Sequence, residues 1–147
     1  LEGVIDTLPW VATIDAFQHW VYENPAHSEA DRTNAWLSIS GKFASKHIDW
    51  SGLGEYRANT WQKQLHLFEV PFYYIEYAIA QLGAVAIWRN YKQNPEKTIQ
   101  QYLADFELGY SASLPEIYET AGIQFNFSTE YIKELMDFVR TEMGKLQ

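Results

Sequence analysis

The chain has 147 residues, enough for one domain's worth of buried core. Nineteen acidic against eleven basic residues leave a formal charge of −8, which argues against a nucleic-acid-binding domain, where a basic patch is needed. Cysteine is absent, which excludes disulfide scaffolds, thiolate metal sites and cysteine nucleophiles, and six Trp, ten Tyr and eight Phe exclude a disordered chain.

The chain opens on Leu1 rather than methionine, and residues 1–21 lack the basic n-region of a signal peptide. This start reads as the cut end of something larger. Thr7 precedes Leu8-Pro9, and proline suits a first helical turn, so the first helix is expected to open there. Trp10, Ile14, Phe17 and Val21 then recur every three or four residues, the period of an amphipathic helix, and Asn24-Pro25 ends it. Ser28 with Asp31 is a capping-box signal for a second helix, with Trp36, Ile39 and Phe43 on its apolar stripe. Residues 45–54 read as a loop. A helix is predicted from about residue 55 to about 70, where Pro71 breaks, kinks or restarts it.

Residues 72–93 are predicted helical, with the densest apolar content of the chain. Their uncharged apolar stretch, residues 77–88, is too short to span a bilayer and reads as buried helix. Asn94-Pro95 is a stop and restart, since Asn caps and Pro takes the first helical position. That helix runs to about Leu108, with Gly109 as its C-terminal cap. Residues 114–121 form a short helix ended by Gly122. Ser128 caps a last helix with Ile132, Leu135, Phe138 and Val139 inward. Residues 123–127 alternate Ile, Phe and Phe with polar residues, but five residues without a partner strand make a poor sheet. The predicted architecture is all-α, six to seven helices joined by short loops.

Chemistry-bearing motifs are sparse. His19, His27, His47 and His66 stand in no HExxH pair and no other zinc spacing. His66 and Glu69 are an i, i+3 pair, better explained as an ordinary helix-surface pair. Gly52-Leu-Gly54 is too short for a phosphate loop and reads as a turn. The carboxylate pairs Asp105/Glu107 and Glu116/Glu119 read as solvated helix faces.

One segment stands apart: residues 66–77, His-Leu-Phe-Glu-Val-Pro-Phe-Tyr-Tyr-Ile-Glu-Tyr. On an unbroken helix His66, Tyr73 and Tyr77 would share a stripe, while Tyr74 and Tyr77 are i, i+3 neighbours. Pro71 disturbs that phase, so spacing does not decide which tyrosine faces His66. Spacing alone favours rings packed as core, each hydroxyl with one partner. The sharper reading is that tyrosine hydroxyls and the imidazole converge on a developing oxyanion. They would assist a reaction without running it, because no general base or nucleophile stands beside them.

The longer stretch of residues 61–84, WQKQLHLFEVPFYYIEYAIAQLGA, closely resembles the C-terminal region of oligoendopeptidase F, in the thimet-oligopeptidase-like group of zinc metallopeptidases. Leu8-Pro-Trp-Val-Ala-Thr-Ile-Asp-Ala-Phe-Gln-His-Trp20, Asn24-Pro-Ala-His27, Asp49-Trp-Ser-Gly-Leu53, Leu114-Pro-Glu116 and Ala121-Gly-Ile123 fit too, so the likeness covers nearly the whole chain in order. The resemblance implies a C-terminal piece, residues 1–147, of a larger all-helical peptidase whose deep cleft admits short peptides. Zinc would be held by an HExxH pair and a later glutamate, all before Leu1, with the HExxH glutamate as general base on a zinc-bound water. This chain would then bind no metal and be inactive alone.

By the same resemblance, His66 matches a histidine that precedes a tyrosine-rich helix reaching over the zinc. Tyr74 and Tyr77 match its paired tyrosines, with Tyr73 as close competitor. The implied catalytic residues are His66, Tyr74 and Tyr77, and the implied substrate-binding residues are Tyr73 and His66. Where distant relatives have glycines after the histidine, Glu69-Val-Pro71 stands here. The expected partners are short peptides and the N-terminal part of the same chain, with no nucleic acid and no membrane. The expected compartment is the cytoplasm. The alternatives are a stand-alone helical peptide-binding module and a helical domain that only braces another.

Overall fold

In a computed structural model, residues 2–146 are described, without the side chains of Glu2, Val4 and Ile5. Leu1, the expected cut end, lies outside the described residues. Every regular element described is helical: α1 (Glu2–Glu23), α2 (Glu29–Phe43), α3 (Gly54–Asn59), a 3₁₀ turn (Thr60–Lys63), α4 (His66–Glu69), α5 (Ile75–Gln93), α6 (Pro95–Leu108), α7 (Leu114–Thr120) and α8 (Thr129–Gly144). The all-α expectation holds, with eight α-helices among the described residues rather than six or seven. The Ile123–Phe127 alternation forms no strand. No described helix is long and apolar enough to cross a membrane. The chain divides into two compact units, Glu2–Ala78 and residues 79–146.

The first unit is built on α1 and α2. Ile14, Phe17 and Trp36 are its buried centre, and Trp10, Val21, Leu37, Ile39, Trp61, Leu67 and Tyr74 pack around them. Phe43, expected on the same stripe as Trp36, is 39% exposed instead of buried. The α1 helix begins well before Pro9, so proline sits inside it and Thr7 is no cap. The Thr7 hydroxyl donates to the Gly3 carbonyl one turn back, and the Thr13 hydroxyl does the same to the Pro9 carbonyl. Helix α2 starts as expected: the Asp31 N–H donates to Ser28 Oγ at 3.2 Å, and the Ser28 N–H donates to the Asp31 carboxylate at 3.0 Å.

The helix predicted over residues 55–70 is replaced by three short pieces. The Arg57 carbonyl accepts from Trp36 Nε1, from the Thr60 hydroxyl, both at 2.9 Å, and from the Thr60 N–H. A carbonyl engaged that way tightens the last turn into 3₁₀ geometry. Gln64 then leaves helical geometry at ψ 92°. Helix α5 begins three residues later than predicted because Phe72 adopts φ 60°, which no right-handed helix accommodates.

The second unit places Leu82, Val85 and Ala86 of α5 in its core, together with Ala121, Ile123, and Tyr131, Leu135 and Val139 of α8. Trp88 meets Phe138 edge-on at 4.7 Å, and Arg89 pairs with Glu134 at 2.6 Å. Asn94 caps α6 by accepting from the Lys97 N–H, Gly109 ends it at φ 51°, and Ser128 caps α8, all as read from sequence. Gly83 lets Tyr118 lie against α5. A Cβ at position 83 would sit 2.9 Å from the Tyr118 hydroxyl, which donates to the Ile79 carbonyl at 3.0 Å.

Candidate functional site

The four residues singled out in the sequence meet in space. His66 opens the single turn α4, half-buried. The chain then leaves the helix at Val70 and turns at Pro71-Phe72, so the helical stripe that would align His66, Tyr73 and Tyr77 does not exist. The turn folds the tyrosines back onto the histidine instead. The His66 ring lies 4.9 Å from that of Tyr74, 5.5 Å from that of Tyr77 and 6.4 Å from that of Tyr73, the last nearly parallel at 8°. Tyr77 also packs on Tyr73 and on Tyr74, at 6.2 and 5.1 Å.

The turn is held from α1. The Phe72 N–H donates to Gln18 Oε1, and the Phe72 ring packs on His19 and Tyr22, both at 4.9 Å. Tyr74 is half-buried against the Ile14–Phe17–Trp36 centre, which fixes one side of the cluster. Tyr73 and Tyr77 keep 53% and 45% of their surface open to solvent.

Both ring nitrogens of His66 are engaged: Nδ1 lies 2.7 Å from Gln64 Nε2, and Nε2 lies 3.1 Å from the Tyr77 hydroxyl. The sequence does not single out Gln64, because an amide two residues before a histidine carries no motif signal. The His66 partners leave neither nitrogen for a metal. Among the described residues no group of three or more His, Asp or Glu side chains could hold a metal ion. The described residues therefore supply no ligand set that fits a zinc ion. What the arrangement offers is hydroxyl donors on packed rings beside an oriented imidazole.

The family model described as Peptidase family M3 matches residues 2–137. The chain belongs to that family. It is a region of a metallopeptidase family whose members are in general zinc enzymes. No curated protein and no solved structure matches it. The tyrosine–histidine cluster lies inside the matched residues of this M3 chain, as do α1 and the turn that Gln18 holds.

The other sequence candidates are accounted for differently. His19 and His27 contact backbone carbonyls one turn away. In this M3 chain Glu116 is tied to Ser113 as a helix cap, at 2.8 Å from its N–H and 2.7 Å from its hydroxyl. Glu107 and Glu119 are exposed. Asp105 is half-buried on a mostly apolar cavity of 460 Å³ in the second unit, and burial pushes its carboxyl up from the ordinary carboxylate range.

Proposed function

We propose that this chain is the substrate-gripping and oxyanion-stabilising side of a zinc endopeptidase that hydrolyses short peptides, in the oligoendopeptidase F branch of family M3. The observation that carries the reading is the His66–Tyr77 hydrogen bond at 3.1 Å, set among the rings of Tyr73 and Tyr74. Supporting it is the family match over residues 2–137, and for the finer branch the motif of residues 61–84.

In this reading the chain is a C-terminal portion of the catalytic domain. Zinc ligands and general base come from a further part of the same protein, which works in the cytoplasm. A zinc ion held there would supply Lewis-acid activation of the attacking water. The residues here do the rest of the electrostatic work. Tyr77 and Tyr74 donate hydrogen bonds to the oxygen that gains charge as the scissile carbonyl becomes tetrahedral, with His66 holding the Tyr77 hydroxyl. Tyr73 grips the peptide backbone, and His66 contributes to substrate binding through the Tyr77 hydroxyl rather than through a ring nitrogen of its own. Neutral donors on locked rings suit this role, because they need no reorganisation as charge develops.

In the enzyme that contains this chain, Tyr77→Phe is expected to lower kcat by roughly ten- to a thousandfold, the scale of losing one oxyanion donor, with metal content unchanged. Unaltered turnover in Tyr77→Phe, Tyr74→Phe and His66→Ala alike would refute the assignment.

A further inference from the structure

The contacts of His66 extend past Gln64, and their chemistry runs in one direction. An indole N–H donates and never accepts. Trp10 Nε1 lies 3.1 Å from Gln64 Oε1, so the carbonyl oxygen of that amide faces the indole and the amide nitrogen faces His66. An amide nitrogen donates and does not accept. His66 Nδ1, at 2.7 Å, is therefore the acceptor. A ring that accepts at Nδ1 carries its proton on Nε2, and that proton goes to the Tyr77 oxygen. The hydroxyl hydrogen of Tyr77 is then not spent on His66.

Trp10 is in turn held against rotation. Its ring meets the fully buried Trp36 edge-on at 6.0 Å, and the Lys63 ammonium lies 4.5 Å above its face. We infer that Trp10 and Gln64 are positioning residues, which fix the His66 proton on Nε2 and so leave the Tyr77 hydroxyl to donate toward a bound peptide carbonyl. The consequence for hydrolysis rests on the reading proposed above; the proton placement does not. With the amide turned over, Oε1 would accept from Nδ1–H, and Nε2 would take the phenol hydrogen away from the substrate.

Long-range proton–nitrogen NMR on the chain labelled at histidine with nitrogen-15, at about pH 8, above the ordinary histidine range, reads this directly. His66→Gln identifies the His66 signals. The expected wild-type pattern is a protonated Nε2 and a bare Nδ1. Gln64→Glu, nearly the same size and only an acceptor, is expected to move the proton to Nδ1. Trp10→Phe, which releases the amide, is expected to give a mixture. A wild-type proton on Nδ1 would overturn the inference, as would a Gln64→Glu spectrum identical to wild type in a variant whose backbone spectrum shows it folded. In the full enzyme, Gln64→Glu is expected to lower kcat about ten- to a hundredfold with KM within about twofold. If the proton moves and kcat does not, the relay stands and the role of Tyr77 in hydrolysis falls. If kcat drops while the proton stays, the relay falls.

Discussion

The backbone N–H of Phe72 donates to Gln18 Oε1 at 2.9 Å, across 54 residues of chain. Phe72 is the one non-glycine residue described with positive φ, a conformation that costs about 1–2 kcal/mol for an L-residue. The acceptor belongs to a side chain only 2% exposed. Gln18→Leu keeps the size and removes the acceptor. It is expected to destabilise the chain by about 1–3 kcal/mol, read as a lower urea midpoint. An unchanged midpoint would mean that the turn finds another acceptor.

Trp36 is the largest fully buried side chain, and its indole N–H is shared between the Arg57 carbonyl and the Thr60 hydroxyl. Trp36→Ala removes the centre of the first unit and is expected to cost about 3–5 kcal/mol. Trp36→Phe restores most of the volume but leaves the polar partners without their donor, so its cost should be smaller and clearly non-zero. Equal midpoints for Trp36→Phe and wild type would show that the indole N–H contributes nothing.

Three helix starts are legible in the sequence because each depends on residues three apart. Ser28, Asn94 and Ser128 announce themselves, and each caps the helix that follows. The stretch from Asn59 to Tyr74 was not legible, because its breaks are imposed from a distance. Trp36 acts on Arg57 from 21 residues away, and Gln18 acts on Phe72 from 54. Nor does local pattern show Thr7 as an interior residue rather than a cap, since the helix continues to its N-terminal side. The site divides the same way. His66, Tyr73, Tyr74 and Tyr77 stand out through local density and through the family motif. Gln64 gains its part only through Trp10, which no window around His66 contains.

Glu142 gives the second unit a pH dependence with a definite sign. Hydrogen bonds from Lys145 and then Lys92 hold its carboxyl below the ordinary glutamate range, outweighing the burial that raises it. Lys92 lies on α5, 2.8 Å from the carboxylate, so the pair ties α8 to α5. A lowered folded value means the contribution is fully present above the unfolded value of about 4.3 and is lost as pH falls through the folded one. The urea midpoint should therefore fall through the acidic range. Glu142→Gln should start lower at neutral pH and fall less. Parallel curves for the two chains would contradict this.

On the proposed reading, which puts the zinc ligands and general base in a further part of the protein, the 147-residue chain by itself is expected to hydrolyse no peptide and to retain no stoichiometric zinc after dialysis. Fluorogenic peptide assays and metal analysis on pure chain check both. Hydrolysis abolished by a chelator would refute the expectation.

The contact between Gly83 and Tyr118 constrains which substitutions the second unit tolerates. The phenol occupies the space where a methyl on residue 83 would stand, and its hydroxyl is anchored to the carbonyl of Ile79, so it cannot swing aside without losing that anchor. The two positions are therefore coupled in size. A larger residue at 83 calls for a smaller one at 118, and either change made alone is expected to cost stability.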